Sequence, residues 1–473
     1  MKVARLEAEN VHGYLPIDVE FLDDLTFLTG LNGSGKTSAL RLLMALLTPN
    51  IGELGSIAFS TAAITVRDGE DEIIVKAEKT PGNIELSVSS IADSLIISSA
   101  DLELYMDVHR REETRSPIVE KYQQHQIFQR IKAISTPMFL GLDRRFYAPG
   151  TVADDLSDSR RREYMARRYW PEDPTLRSSG SGIAAVAALV EVNYLVVSRM
   201  QEVRAAQEKL DERLRAEFFT KAFEYKPSVV MGKPTRPPSR HEIDRYRQQL
   251  VKIEKAAEGV KIPVPEIRSA LTHFFERMNT VVKSLDKSTQ TKRTAKKTSR
   301  KSPAPEMNEA QQKHFIEWII NKPQIDRIIE HLVLLDNYIE SRNALRDPIS
   351  RFLSLVNSFL TQTNKLVSVA SSGQLTVAIQ GFKDSLPISA LSSGERQLLV
   401  MLAHLSLNPS LDGSGVFIVD EPELSLHIDW QERFVDAIRE ANPNVQLILA
   451  THSPAIILDR TEACRALSEV QSA

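Results

Sequence analysis

The chain has 473 residues, 42% hydrophobic and 26% charged, enough to bury cores over two or three domains, which excludes a wholly disordered protein. With 59 Lys and Arg against 62 Asp and Glu the net charge is −3, so there is no global basic field for nucleic acid and any such contact must be local. The lone cysteine, Cys464, excludes a disulfide framework or a multi-cysteine zinc site, the charged start lacks a signal-peptide run, and the most apolar stretch, Ile183 to Val197, is short and carries Glu191 and Asn193; a cytoplasmic protein without a membrane span is expected.

In chain order, residues 1 to 90 read as strands with one helix. Phe27-Leu28-Thr29 is an apolar run ending at Gly30, and Ile64, Val66, Ile73, Val75, Ile84, Leu86 and Val88 recur in near-alternation. Between them Leu40, Leu43, Met44 and Leu47 fall at helical spacing, so Thr37 to Leu47 is predicted to be a helix with one apolar face, opening after a glycine-rich turn.

From about 155 to 365 the pattern is long charged helices, such as 190–223 and 324–343, broken by Pro227, Pro234, Pro237, Pro238, Pro263 and Pro265. Trp318, Ile319, Ile325, Ile328, Ile329, Leu332 and Leu335 make an apolar stripe around Pro323, read as core packing against the rest of the insertion, with an oligomer contact as the alternative. A helix of about 35 residues would rise about 50 Å. Within the insertion, residues 287–305 carry Lys287, Lys292, Arg293, Lys296, Lys297, Arg300 and Lys301 with no acidic residue, which reads as a flexible basic loop, a solvated linker or else a contact for nucleic acid or an acidic partner.

After 365 strands return, at 366–369 and 375–379, followed by a helix from 394 and two strands read as apolar throughout, 416–419 and 445–450, of the kind found inside a parallel sheet. The expected fold class is therefore α/β, a mixed sheet with a phosphate-binding loop split by a helical, short coiled-coil insertion. The expected divisions are 1–150, 151–365 and 366–473.

Four segments carry chemistry. Gly30-Leu31-Asn32-Gly33-Ser34-Gly35-Lys36-Thr37 fits G-x-x-x-x-G-K-[ST] in full, between a predicted strand and a predicted helix. Its glycines allow the turn whose N–H groups face phosphate oxygens; Lys36 would reach the β- and γ-phosphates of ATP, and the Thr37 hydroxyl would hold Mg²⁺. Val416 to Val419 runs into Asp420-Glu421, where Asp420 would hold Mg²⁺ and Glu421 would deprotonate the attacking water. Leu391-Ser392-Ser393-Gly394-Glu395-Arg396-Gln397 opens an apolar-periodic helix; read alone it is an ordinary N-cap, and read with the others it is a second phosphate site formed by Ser392, Ser393, Gly394 and Glu395. Last, Thr451-His452-Ser453 ends an apolar strand beside the carboxylates.

These four segments, in this order around a helical insertion, resemble the ATP-binding-cassette ATPases, within them the RecF, SMC and OLD-like branch. The resemblance implies two heads dimerising head to tail around ATP, with Ser392, Ser393 and Gly394 of one subunit facing the γ-phosphate held by Lys36 of the other. It also implies that His452 contacts the γ-phosphate and that Glu423 to His427 crosses the dimer interface. Transporter cassettes have Asp where this chain has His427. The family's Mg²⁺-sensing glutamine has no counterpart in Pro137 to Arg145; Asp143, Arg144, Gln123, Gln124 or Gln126 are the substitutes at hand. His12 stands where relatives carry a residue beside the nucleotide base.

Phe139 to Arg144, Leu391 to Leu399 and Asp420 to His427 also look like the ATPase subunits of bacterial anti-phage systems such as PARIS and Septu. That likeness implies an oligomeric sensor and scaffold, a phage-encoded trigger, and a separate effector, a nuclease or toxin of Toprim or HNH type. Because 21 residues follow His452, too few for the Toprim domain of OLD nucleases, cleavage is expected from a separate polypeptide. The alternative is a RecF-like clamp on duplex DNA, suggested by Arg144, Arg145, Arg160, Arg161, Arg162, Arg167 and Arg168 with the basic loop.

Overall fold

A computed structural model describes residues 1–48, 51–69, 71–110, 121–134, 137–140, 146–147, 180–224, 309–370, 372–408, 415–424 and 426–467, with a few positions between 269 and 281. The basic loop at 287–305, the arginines from Arg144 to Arg168, Asp143 and the prolines from Pro227 to Pro265 lie outside the described residues.

In chain order the elements are β1 (Lys2–Val11), β2 (Leu15–Glu20), β3 (Leu25–Thr29), α1 (Lys36–Leu47), α2 (Ile51–Ser56), β4 (Thr61–Asp68), β5 (Asp71–Lys79), β6 (Asn83–Val88), β7 (Ser94–Ser98), α3 (Ser99–Arg110), α4 (Gln126–Ile134), β8 (Met138–Leu140) and β9 (Phe146–Tyr147). Two long helices follow, α5 (Gly180–Phe223) and α6 (Glu309–Leu360). Then come β10 (Lys365–Val369), β11 (Leu375–Ile379), β12 (Leu386–Pro387), α7 (Ser393–Leu407), β13 (Gly415–Asp420), α8 (Ile428–Ala441), β14 (Val445–Ala450), α9 (Pro454–Ile457) and β15 (Cys464–Ala466).

Residues Met1–Met200 and Pro348–Ala473 form one compact unit and Gln201–Asp347 a second. The first unit holds an antiparallel sheet in the order β2-β1-β4-β5-β6-β7, a sheet in the order β15-β3-β14-β13-β8-β9, and a small antiparallel sheet, β10-β11-β12. In the second of these, β15, β3, β14, β13 and β8 run parallel and only β9 turns back.

The parallel strands are apolar on both faces because each face feeds a different core. Val416, Ile418, Ile448 and Ala450 pack with α1 and the antiparallel sheet. Phe417, Val419, Leu447 and Leu449 pack with α7, α8 and the roots of the long helices, through Leu189, Val192, Phe352 and Phe359. Alternate residues of one strand thus serve two hydrophobic layers, which is why no polar alternation marks them in the sequence.

Helix α1 departs from its predicted single face: Leu42, Ala45 and Leu46 are buried along with Leu40, Leu43, Met44 and Leu47. Packed between layers, the helix keeps only a narrow polar edge at Thr37, Ser38 and Arg41, so its remaining faces are filled with apolar residues.

One residue of β14 breaks the apolar pattern. Gln446 is 0% exposed. Its Oε1 accepts from the Val3 N–H at 2.7 Å, and its Nε2 donates to the Val3 and Leu22 carbonyls at 2.8 and 2.7 Å. The side chain acts as a strand rung tying β14 to the chain's first strand.

The long helices exceed expectation. At 44 and 52 residues, α5 and α6 are about 66 and 78 Å long at 1.5 Å per residue, and α6 continues through Pro323 rather than starting after it. Within the second unit they pair antiparallel. Gln207, Asp211, Phe218 and Glu224 on the α5 side meet Arg346, Tyr338, His331 and Arg327 on α6, partners descending as the first series rises. Trp318 is buried in this unit with Met278 and Val281, while Ile316 and Ile320 face outward.

Candidate functional site

Parallel pairing sets the site. In register, Leu28 sits beside Ala450 and Ala450 beside Asp420, so β3, β14 and β13 end at one level. Backbone bonds carry the alignment one residue further: Thr451 N–H donates to the Leu28 carbonyl at 3.3 Å and Glu421 N–H to the Ala450 carbonyl at 2.9 Å. The segments that leave these three strand ends are Gly30 to Thr37, Thr451-His452 and Glu421-Pro422-Glu423, which is the edge of a parallel sheet where ligands bind.

The loop after β3 is shaped by glycine. Gly30, Gly33 and Gly35 have φ of 149°, 87° and 91°, backbone that side chains strain to adopt. At Gly35 a Cβ would also stand 2.2 Å from Cδ2 of the buried Leu15. Gly35→Ala is therefore expected to destabilise the protein by about 1–3 kcal/mol through backbone strain and to weaken ATP binding, measurable by calorimetry with and without nucleotide. Asn32 and Gly33 are exposed at the tip, Ser34 is buried, and Thr37 lies in the first turn of α1.

Lys36 is buried, and its Nζ donates to the Gly30 and Leu31 carbonyls at 3.0 and 3.1 Å. Burial lowers its pKa, and the carboxylates of Glu421, Asp420 and Glu423 oppose that shift.

Asp420 is 3% exposed, and neither of its oxygens has a hydrogen-bond partner among the described residues. Burial pushes its carboxyl up to about 6; the nearby Thr37 hydroxyl, outside ordinary hydrogen-bond geometry, draws it down, while Glu421 raises it further. A buried carboxylate left without donors beside a hydroxyl is the oxygen donor set a Mg²⁺ ion takes, so the residues present fit that ion.

A raised acid pKa means the folded chain pays for the Asp420 charge above pH 6, and this cost disappears as pH falls from 6 toward 4. Asp420→Asn is expected to raise the melting temperature at pH 7. The gain over wild type should vanish by pH 4, as followed by thermal denaturation across pH.

Glu421 holds φ 47°, a left-handed conformation unusual for glutamate and found where a surrounding structure enforces it. Two residues on, Glu423 accepts from Thr451 Oγ1 through Oε2 at 2.9 Å and from the His452 N–H through Oε1 at 2.7 Å. The His452 ring is exposed. His427 caps α8, its Nδ1 accepting from the Asp429 N–H.

At the head of α7, Ser392 and Ser393 are exposed and Gly394 is half-buried. The carboxylate of Glu395, a residue expected in the nucleotide site, is engaged within the chain. The residue is 3% exposed, and its carboxylate already accepts from Ser392 N–H at 2.7 Å, Lys365 Nζ at 2.7 Å and Thr363 Oγ1 at 2.9 Å. With the Glu395 N–H donating to Ser392 Oγ at 3.3 Å, it completes a capping box. Burial works to raise its pKa, but the Lys365, Ser392 and Thr363 bonds hold it below the ordinary range.

Of the remaining candidates, Gln126 donates to Asp93 and is occupied there. His12 has φ 52°, and its Nε2 pairs with Ser38 Oγ at 2.8 Å on α1. Glu423, read from the sequence only as the start of an interface segment, and Gln431, which no sequence pattern singles out, stand bonded to the Thr451–Ser453 segment.

A family model described as AAA ATPase domain matches residues 1–457. The chain is similar to the Retron Vc95 probable ATPase of Vibrio cholerae serotype O1 biovar El Tor, 27% identical over 173 residues that make up 32% of each chain. It is also similar to the Retron Ec83 probable ATPase of Escherichia coli, 36% identical over 81 residues, 15% of each chain. The matched stretches thus span a third or less of either relative's length. Among solved structures, the Smc head domain with an extended coiled coil bound to the C-terminal domain of ScpA, from Pyrococcus furiosus, aligns over 96% of this chain and 91% of that one, with TM-score 0.36 and 13% identity. The SMC head domain from Thermotoga maritima aligns over 98% and 94%, with TM-score 0.34 and 11% identity. Among the described residues no helix is long and apolar enough to cross a membrane.

Proposed function

Because the chain belongs to the AAA ATPase domain family, we propose that it hydrolyses Mg·ATP and serves as the sensor and scaffold subunit of an anti-phage system that controls a separate nuclease or toxin. The observation that carries the hydrolytic half is the common level of the β3, β14 and β13 ends, which gathers Lys36, Thr37, Asp420, Glu421 and His452 at one sheet edge.

Lys36 and the N–H groups around Asn32 to Thr37 hold the phosphates at the N-terminus of α1, where the helix dipole favours negative charge. Mg²⁺, held by Thr37 and Asp420, would neutralise charge on the β- and γ-phosphates. Glu421 accepts the proton of the attacking water as its oxygen bonds to the γ-phosphorus. The bond to the β–γ bridging oxygen breaks, and ADP leaves with that electron pair. His452 contacts the γ-phosphate.

The exposed Ser392 and Ser393 and the Gly394 N–H suit a phosphate supplied from outside the subunit, which supports a head-to-tail homodimer around two ATP molecules, with further oligomerisation through such dimers. The two retron relatives, named as probable ATPases, support the defence reading.

The test is affinity capture of wild type and Glu421→Gln from cells carrying the native neighbouring genes, with mass spectrometry and sizing. A stoichiometric nuclease-like protein whose retention differs between the two is expected. Recovery of DNA alone, enriched with Glu421→Gln, would instead establish a clamp on duplex DNA.

A further inference from the structure

We propose that Glu423 is a positioning residue for ATP hydrolysis, holding the backbone of the γ-phosphate-contacting histidine to the segment that bears the general base; this rests on the ATPase reading above. Among the described residues the exposed His452 ring makes no hydrogen bond, so the placement of the imidazole depends on its backbone. That backbone is held by one carboxylate. Glu423 Oε1 accepts the His452 N–H, and Oε2 accepts the hydroxyl of Thr451, which is buried and whose oxygen in turn accepts the Ser453 N–H at 3.0 Å.

Gln431 closes the ring from α8. Its Oε1 accepts from Ser453 Oγ at 2.7 Å, and its Nε2 donates to the Leu426 and Glu423 carbonyls at 2.9 and 3.3 Å. Residues 423, 426 and 431 are thus locked to 451, 452 and 453 by a continuous set of bonds. Removing the carboxylate opens it at the point nearest the histidine. Glu423 is only two residues from Glu421, so the same bracket ties the segment of the base to that of the γ-phosphate contact, and a misplacement of about 1 Å in such geometry is costly to rate.

A carboxylate here also adds negative charge beside Asp420 and Lys36. Glutamine separates the two roles. Its carbonyl can still accept the His452 N–H, and its amide can donate to Thr451 Oγ1 while leaving that hydroxyl's own proton without its acceptor, so Glu423→Gln keeps the tie to the His452 backbone and drops the charge, whereas Glu423→Ala loses both.

The experiment compares wild type, Glu423→Ala and Glu423→Gln as full chains, measuring kcat and KM for Mg·ATP, the Kd of a fluorescent ATP analogue, and amide hydrogen exchange of the peptide containing His452. Expected for Glu423→Ala is a fall in kcat of about 10-fold or more, an analogue Kd within about twofold of wild type, and faster exchange at His452; Glu423→Gln should recover most of the rate and the protection. Equal loss in the two variants would assign the effect to charge and overturn the positioning role. Wild-type turnover by Glu423→Ala, or unchanged exchange, would overturn it as well while leaving the ATPase reading intact. A wild-type chain that binds the analogue but does not hydrolyse ATP would overturn the ATPase reading itself, and this role with it.

Discussion

Glu421→Gln is expected to lower the ATP hydrolysis rate by about 10²–10⁴-fold, the usual contribution of a positioned general base, without loss of Mg·ATP affinity. Glutamine keeps the size and one acceptor oxygen of the side chain but cannot take a proton from water. Its backbone at φ 47° and the N–H bond to Ala450 do not depend on the carboxylate, so the fold at the end of β13 should survive. Loss of one negative charge beside Lys36 favours bound phosphate, and the variant should accumulate the ATP-bound form. Single-turnover hydrolysis with an equilibrium binding measurement checks both halves. A rate within threefold of wild type would remove Glu421 from the chemistry.

Gln446→Leu is expected to destabilise the first unit by about 1–7 kcal/mol: two buried backbone groups of Val3 and the part-buried Leu22 carbonyl lose their partners at about 1–3 kcal/mol each, less about 2 kcal/mol gained from burying an apolar side chain. Leucine has nearly the same volume, so the cost falls on Val3 N–H and the carbonyls of Val3 and Leu22 rather than on a cavity. Chemical denaturation, with the midpoint and slope fitted separately, measures it. A loss under about 1 kcal/mol would mean that these groups find other partners and that β14 does not depend on this tie.

The contrast between these two residues shows what the sequence made legible. Glu421 follows an apolar strand and stands next to Asp420, a local pattern that a parallel sheet can present in only one place, and Gly30 to Thr37 is equally local. Gln446 was overlooked inside an apolar run because its partners, Val3 and Leu22, are more than 420 residues away in the chain. Glu423 was seen only as part of an interface segment, since Thr451 and His452 come beside it only once β13 and β14 pair.

The internal bonds of Glu395 are illegible in the sequence for a related reason. Ser-Ser-Gly-Glu before an apolar helix serves equally as a capping box and as a phosphate-binding turn, and Lys365 and Thr363, which draw the carboxylate inward, lie some thirty residues upstream. Helix α1 looked one-sided because four spaced apolar positions already satisfy a helical period; only the second sheet layer explains why Leu42 and Leu46 are apolar too.

The most direct test of hydrolysis at this sheet edge is phosphate release from ATP by the full chain as Mg²⁺ is titrated in, for wild type and Lys36→Ala. Release that requires Mg²⁺, saturates with ATP and is lost in Lys36→Ala is the expected result. No release by wild type, or release that proceeds without Mg²⁺ and survives in Lys36→Ala, would contradict it.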